Sequence, residues 1–277
     1  MTAARVWING AAADQVSAFD RGLAYGDGLF ESIRLVGAAA PLWGRHMQRL
    51  ASGCQRLQIP VPDVDQLWRE ALQAANGMAE AVVRITLTRG VGQRGYALPM
   101  APRPVRIVAA FDPPQVAATA YTQGVRTRLC AIRMAAQPLL AGLKHLNRLE
   151  QVLARAEWRD PAISEGIMCD SQNRVISATM ANLFARIGEQ WVTPALDHCG
   201  VAGVARAEVL AVCPEVAVGE LTLDALRSAG EIFLSSSVRG IVPVCALDDR
   251  HYEPGVTTRA LQRHWRELGF WMEQVDE

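Results

Sequence analysis

Through the first hundred residues, short runs of alternating apolar and polar positions are separated by stretches with helical rhythm. Residues 5–8 and 29–36 read as strands, divided by the glycine-rich turn Gly22-Leu23-Ala24-Tyr25-Gly26-Asp27-Gly28. Met47, Leu50, Cys54 and Leu57 recur at helical spacing within 45–57, and Leu67, Trp68, Ala71 and Leu72 repeat the pattern within 64–75, with Pro60 and Pro62 between the two helices. Val83, Ile85 and Leu87 alternate with Arg84, Thr86 and Thr88, which predicts a half-buried strand. Residues 105–111 read as its neighbour across the long loop 90–104.

Asp112, Pro113 and Pro114 stop this pattern, and 117–121 reads as a linker. Beyond it the chain predicts a strand at 125–130 and a helix at 143–158, with Leu146, Leu149 and Leu153 on one stripe. Short strands follow at 166–169, 174–176, 183–187 and 191–193, then a glycine-led helix at 204–212, strands at 231–235 and 241–247, and a last helix at 258–268. The expectation is a mixed α/β protein of two domains, a smaller one over 1–115 and a larger one over 116–277.

The chain has 277 residues, half of them hydrophobic, and a formal charge of zero. No global positive field favours nucleic acid, and no apolar run is long enough to cross a membrane. The start, MTAARVWING, carries no apolar leader core, so a cytoplasmic protein is expected. Cys54, Cys130, Cys169, Cys199, Cys213 and Cys245 are scattered singly and read as small core hydrophobes, and the histidines never form a metal-binding pair; no metal is expected.

One count is sharper. The basic residues are 27 arginines and a single lysine, Lys144. Arginine replaces lysine as a charge but cannot form an imine, because its guanidinium stays protonated. Lys144 is therefore a candidate for a position that needs the amine itself. Gly200 and Gly203 precede the helix at 204–212, whose free N–H groups suit a phosphate, and Ser235-Ser236-Ser237 could add hydroxyl donors. Arg49 stands in an otherwise apolar-faced helix, where it could make a charge-assisted contact to the same phosphate, and Arg94 and Tyr96 lie in the long loop, where they could hold a substrate carboxylate. No Gly-x-Ser-x-Gly elbow, phosphate-binding Gly-Lys loop or His-Glu-x-x-His zinc helix competes.

Several runs together resemble the fold-type IV pyridoxal-phosphate enzymes. They are Asp20-Arg21-Gly22-Leu23-Ala24-Tyr25-Gly26-Asp27-Gly28-Leu29-Phe30-Glu31, His46-Met47-Gln48-Arg49-Leu50, Leu143-Lys144-His145-Leu146-Asn147-Arg148-Leu149-Glu150-Gln151-Val152, Ala181-Asn182-Leu183-Phe184, Gly203-Val204-Ala205-Arg206 and Pro243-Val244. The stretch from Gly142 to Val152 favours the family's lyase branch over its branched-chain and D-amino-acid aminotransferases. The resemblance implies pyridoxal 5'-phosphate held between two α/β domains, a homodimer, and conversion of 4-amino-4-deoxychorismate, supplied by its synthase, to 4-aminobenzoate and pyruvate. A branched-chain or D-amino-acid aminotransferase and a non-catalytic cofactor-binding protein are the alternatives.

By the same likeness Lys144, in the larger domain, holds the cofactor aldehyde. Arg49, the backbone at Val204 and Ala205, and the Ser237 hydroxyl bind its phosphate, while Tyr25, Phe30, Arg94 and Tyr96 face the substrate. One position departs from the family. Five residues before the asparagine of Asn-Leu-Phe, relatives usually carry a glutamate that pairs with the pyridine nitrogen, and here Ser177 stands there. Serine can hydrogen-bond that nitrogen but brings no charge to keep it protonated, which weakens the electron sink. Transamination should suffer more than a lyase reaction whose product becomes aromatic. Ala205, where relatives often have threonine, can offer only its backbone.

Overall fold

The computed structural model describes residues 5–270; residues 1–4, part of the start read above, lie outside the described residues. The chain forms two units, one of residues up to 113 together with 143–147, the other of 114–142 together with residues from 148 onward. The mixed α/β class expected from the sequence is the class observed.

The first unit contains β1 (Arg5–Ile8), β2 (Ala11–Ala12), α1 (Arg21–Tyr25), β3 (Gly28–Val36), α2 (Trp43–Leu57), α3 (Val64–Ala74), β4 (Glu80–Thr88) and β5 (Val105–Phe111). Its strands form an antiparallel sheet in the order β2-β1-β5-β4-β3. Leu29, Ile33, Leu35, Val83, Ile85, Leu87 and Val108 form one core with Met47, Leu50 and Cys54 of α2 and Leu67, Ala71 and Ala74 of α3. A one-residue slip would turn Leu29, Ile33 and Leu35 to the opposite face, at about 2 kcal/mol for each side chain, so the alternation fixes the register. The intervening positions, Phe30 opposite Thr86 and Ser32 opposite Arg84, line the other face.

The second unit contains α4 (Ala118–Thr122), β6 (Val125–Met134), α5 (Leu149–Ala156), β7 (Ile163–Asp170), β8 (Val175–Ala178), β9 (Asn182–Ile187), β10 (Gln190–Pro194), α6 (Val204–Val212), β11 (Ala217–Gly219), α7 (Leu223–Arg227), β12 (Glu231–Ser236), β13 (Gly240–Leu247), β14 (Arg250–His251) and α8 (Val256–Glu267). Its mixed sheet runs β11-β10-β9-β12-β13-β6-β7-β8, with β14 paired to β13. Phe184 stacks on Phe233 at 4.7 Å between ring centroids, joining β9 to β12 in its interior.

Three expectations are corrected. The glycine-rich turn begins as a helix, α1, because the Asp20 carboxylate accepts from the N–H groups of Gly22 and Leu23, and Gly26 ends it in the left-handed region at φ 66°. The linker at 117–121 is largely α4, pinned where the buried Tyr121 hydroxyl donates to the Arg239 carbonyl at 2.9 Å. The helix expected from 143 starts only at Leu149. Residues 143–147 are extended along the free edge of β3 and belong to the first unit, so Lys144 does not stand in the larger one. Of the stripe of Leu146, Leu149 and Leu153, the two residues on α5 are exposed, Leu149 at 76% and Leu153 at 57%.

Candidate active site

Backbone pairing sets the position of Lys144. The Phe30 N–H donates to the Lys144 carbonyl and the Leu146 N–H to the Gly28 carbonyl, both at 3.0 Å. These bonds satisfy the edge of β3 and outweigh the helical rhythm that runs through Leu146. Asn147 closes the segment by donating from Nδ2 to the Gly26 carbonyl at 3.3 Å. Any side chain at position 26 would collide with it, since a Cβ there would lie 2.4 Å from Asn147 Oδ1. Lys144 is opposite Phe30, and its half-buried Nζ sits 4.3 Å from the Phe30 ring centroid. The Arg84 guanidinium lies 4.4 Å from the same ring. Lys144 and Arg84 thus share one face of the sheet with Phe30.

Arg49 belongs to a buried polar cluster on the helical side of the same sheet. Its Nε donates to Glu31 Oε1 at 2.8 Å, its Nη2 donates to Oε2, and His46 Nδ1 lies 2.6 Å from Oε2. Glu31 and His46 are each only 1% exposed. Burial alone would push the Glu31 carboxyl up, but the Arg49 charge and the His46 and Arg49 hydrogen bonds bring it down to about 2. Burial pushes His46 down despite Glu31, and the charges of Arg49 and Lys144 add to that, so the neutral ring donates from Nδ1. The position of Arg49 is therefore dictated by a two-point carboxylate clamp. Glu31 and His46 were missed as site residues although Glu31 stands between Leu29 and Ile33 on the inward positions of β3, which was a readable sign of a buried, partnered carboxylate.

Tyr25 and Tyr96 come together, with ring centroids 5.4 Å apart, and the Tyr25 hydroxyl accepts from the Gly95 N–H at 3.1 Å. Buried Arg21 anchors the same loop, donating to the carbonyls of Gly95 and Ala97 at 3.0 and 3.3 Å. Arg21 and Arg89 both pair with Asp27; burial pushes that carboxyl up, and their hydrogen bonds hold it below its ordinary value. Tyr96 is 84% exposed and Arg94 is exposed beside it, so the loop is fixed at its base while these two side chains face outward.

In the second unit, Ser177 is buried on β8 opposite Met168. Val204 and Ala205 are the buried first residues of α6, whose N-cap, Gly203, provides no side-chain cap. A helix start of this kind presents N–H groups without intrahelical partners. Asn182 sits directly against it: its Nδ2 donates to the Val201 carbonyl at 3.0 Å, and a Cβ on Gly203 would lie 2.0 Å from its Oδ1. Ser237 opens the turn between β12 and β13. That turn is clamped by Arg239, which pairs with the fully buried Glu165; Glu165 also accepts from the Thr179 hydroxyl. Neither Glu165 nor Arg239 carried a sequence signal, because their meeting depends on sheet order.

Each unit carries polar groups of its own. In the first unit a half-buried amine is held by backbone pairing and a guanidinium is locked by a carboxylate; in the second, α6 starts without a side-chain cap, and the buried Ser235 Oγ on β12 has no hydrogen-bond partner among the described residues.

Comparison with known proteins agrees. The pattern of the family described as amino-transferase class IV matches residues 28–247. Aminodeoxychorismate lyase of Vibrio harveyi is 36% identical over 264 residues, covering 92% of this chain and 97% of that protein. The crystal structure of 4-amino-4-deoxychorismate lyase from Pseudomonas aeruginosa is 44% identical, with a TM-score of 0.90 over 95% of this chain and 98% of that one. Branched-chain amino acid aminotransferase from Escherichia coli shares the fold, with a TM-score of 0.82 and 23% identity over 98% and 96% of the two chains. The chain belongs to the amino-transferase class IV family, whose chemistry is that of pyridoxal phosphate.

Proposed function

We propose that this protein is a pyridoxal-phosphate-dependent lyase that converts 4-amino-4-deoxychorismate into 4-aminobenzoate and pyruvate. The observation that carries the reading is the 44% identity and TM-score of 0.90 to the Pseudomonas aeruginosa lyase across nearly the full length of both chains. Lys144 holds the cofactor aldehyde; Arg49, the N–H groups of Val204 and Ala205, and the Ser237 hydroxyl hold its phosphate; Ser177 faces the pyridine nitrogen. Tyr25, Phe30, Arg94 and Tyr96 receive the substrate. When bound, pyridoxal phosphate supplies an electron-withdrawing system that acidifies the carbon bearing the substrate nitrogen.

The chain's own contribution is acid–base chemistry and placement. With substrate bound, the free Nζ of Lys144 would remove the proton from the ring carbon that carries nitrogen. The ether bond to the enolpyruvyl group then breaks, the ring becomes aromatic, and Lys144 returns a proton to the departing three-carbon unit, which leaves as pyruvate. Phe30 and the backbone pairing of 143–147 keep the Lys144 stem in place through these steps.

Ser177 disfavours the aminotransferase reading, because no carboxylate stands at that position to keep the ring nitrogen charged. Adding a branched-chain or D-amino acid to cofactor-loaded protein separates the two: the lyase keeps its cofactor spectrum, whereas an aminotransferase converts the cofactor to the pyridoxamine form. We also infer a cytoplasmic homodimer fed by an aminodeoxychorismate synthase. Support for association comes from the exposed stripe of Leu149, Val152 and Leu153 on α5, the kind of apolar surface a second copy covers. Among the described residues no helix is long and apolar enough to cross a membrane.

A further inference from the structure

We propose that Ser235 is an additional phosphate-binding residue, its hydroxyl donating to the anion held at the start of α6. This rests on the reading above that the anion is the cofactor's phosphate. Ser235 and Asn182 are direct partners in the β12–β9 ladder, so their side chains share one face of the sheet. That face carries the chain around Gly203: Asn182 Nδ2 donates to the Val201 carbonyl, and its Oδ1 occupies the space beside Gly203 that a Cβ would need. Two strands along, Thr193 Oγ1 accepts from Arg206 Nε at 3.2 Å, which ties the first turn of α6 to β10.

Ser235 is 2% exposed, and its Oγ has no hydrogen-bond partner among the described residues. Nearly all buried polar groups in folded proteins are partnered, and a strand interior accepts alanine or valine without that cost. The neighbouring hydroxyls differ: Ser236 Oγ already accepts from the Arg239 N–H at 3.0 Å, and Thr193 Oγ1 donates to the Leu183 carbonyl at 2.9 Å. An unspent buried donor next to an uncapped helix start has the chemistry of an anion ligand. It complements the backbone N–H groups of Val204 and Ala205, a set that Ala205 cannot extend with a side-chain hydroxyl of its own.

The test compares full-length wild-type and Ser235→Ala protein, both freed of cofactor, by titrating pyridoxal 5'-phosphate and unphosphorylated pyridoxal and following the absorbance of the lysine-bound form. Ser235→Ala is expected to weaken pyridoxal 5'-phosphate binding about five- to twentyfold, change pyridoxal binding by less than about twofold, and leave the cofactor-free Tm equal or higher. Ser235→Cys, close in volume and a weak donor, is expected to fall between the two and provides the same comparison if the alanine variant folds poorly. Equal affinities in wild type and variant, or an equal loss for both ligands, would each overturn the assignment. If wild-type protein itself binds the phosphorylated ligand no better than pyridoxal, the phosphate site at α6 falls with it. Loss confined to the phosphorylated ligand has no purely structural explanation.

Discussion

At the scale of single residues, the chain separates charge from chemistry at Lys144. Lys144→Arg keeps the cation over Phe30 but cannot bond an aldehyde, so it is expected to lose the covalent cofactor signal and turnover as fully as Lys144→Ala does, by at least about a thousandfold. Cofactor absorbance and product formation check both variants. Retained turnover in Lys144→Arg would remove the lysine from the chemistry. Ser177→Glu restores a carboxylate beside the proposed ring nitrogen, and a pH titration of the bound cofactor's spectrum should show its pyridinium form persisting to higher pH, with more side transamination. An unchanged spectrum would mean that Ser177 faces elsewhere. Lys144 stands out in the sequence as the lone lysine among arginines, and Ser177 by its distance from Asn182. Arg49 stands out less, and the Glu31 and His46 that lock it were not read, although the place of Glu31 among the inward positions of β3 was the available sign.

That cluster makes stability depend on pH. Glu31 titrates at about 2 in the folded protein against an ordinary value of 4.5, so its contribution is complete above 4.5 and is lost as pH falls toward 2; the difference amounts to about 3 kcal/mol. His46 is pushed below its ordinary 6.5 when folded, so below pH 6.5 the unfolded chain takes up a proton that the native chain resists. Both effects lower stability on acidification. Thermal melts of wild type should begin to lose Tm below about pH 6.5 and fall more steeply below 4.5, while His46→Gln should show a smaller loss between pH 6.5 and 5. Identical slopes in the two proteins would mean that His46 is charged in the fold.

At the scale of elements, long periodic segments were read well and short or edge-bound ones poorly. β1 and β5, with α6, have the bounds that the apolar pattern predicted, and α2 and α3 differ by one or two residues at their ends. α1, α4, α7 and β11 are three to five residues long, too short for a period, and are held by an Asp cap, a long-range tyrosine bond, a Thr cap and pairing to β10 respectively. The segment around Lys144 shows the same limit from the other side: local rhythm favoured helix, and the unsatisfied edge of β3 decided for strand. At α6 the local signal and the tertiary packing agree. Gly203→Ala places a methyl group into Asn182, so the helix start must shift, and pyridoxal 5'-phosphate affinity is expected to fall about tenfold or more while the far-ultraviolet spectrum is preserved. Equilibrium titration of the cofactor checks this, and unchanged affinity would show that the phosphate does not use that helix start.

At the scale of the whole molecule, family membership follows from a match that spans residues 28–247 and from relatives similar over more than nine-tenths of the chain. The exposed Leu149, Val152 and Leu153 predict association, and light scattering on eluting protein should give twice the 30.1 kDa chain mass. Leu153→Glu should shift that population toward the monomer; a wild-type protein that stays monomeric at all concentrations would contradict the homodimer. The reaction itself is tested most directly by giving purified, cofactor-loaded protein 4-amino-4-deoxychorismate generated by its synthase and following 4-aminobenzoate and pyruvate together, against a synthase-only control. The lyase account predicts equal, protein-dependent formation of both products, abolished in Lys144→Ala. Folded, cofactor-loaded protein that forms neither product, or that instead exchanges an amino group with a keto acid, would contradict it.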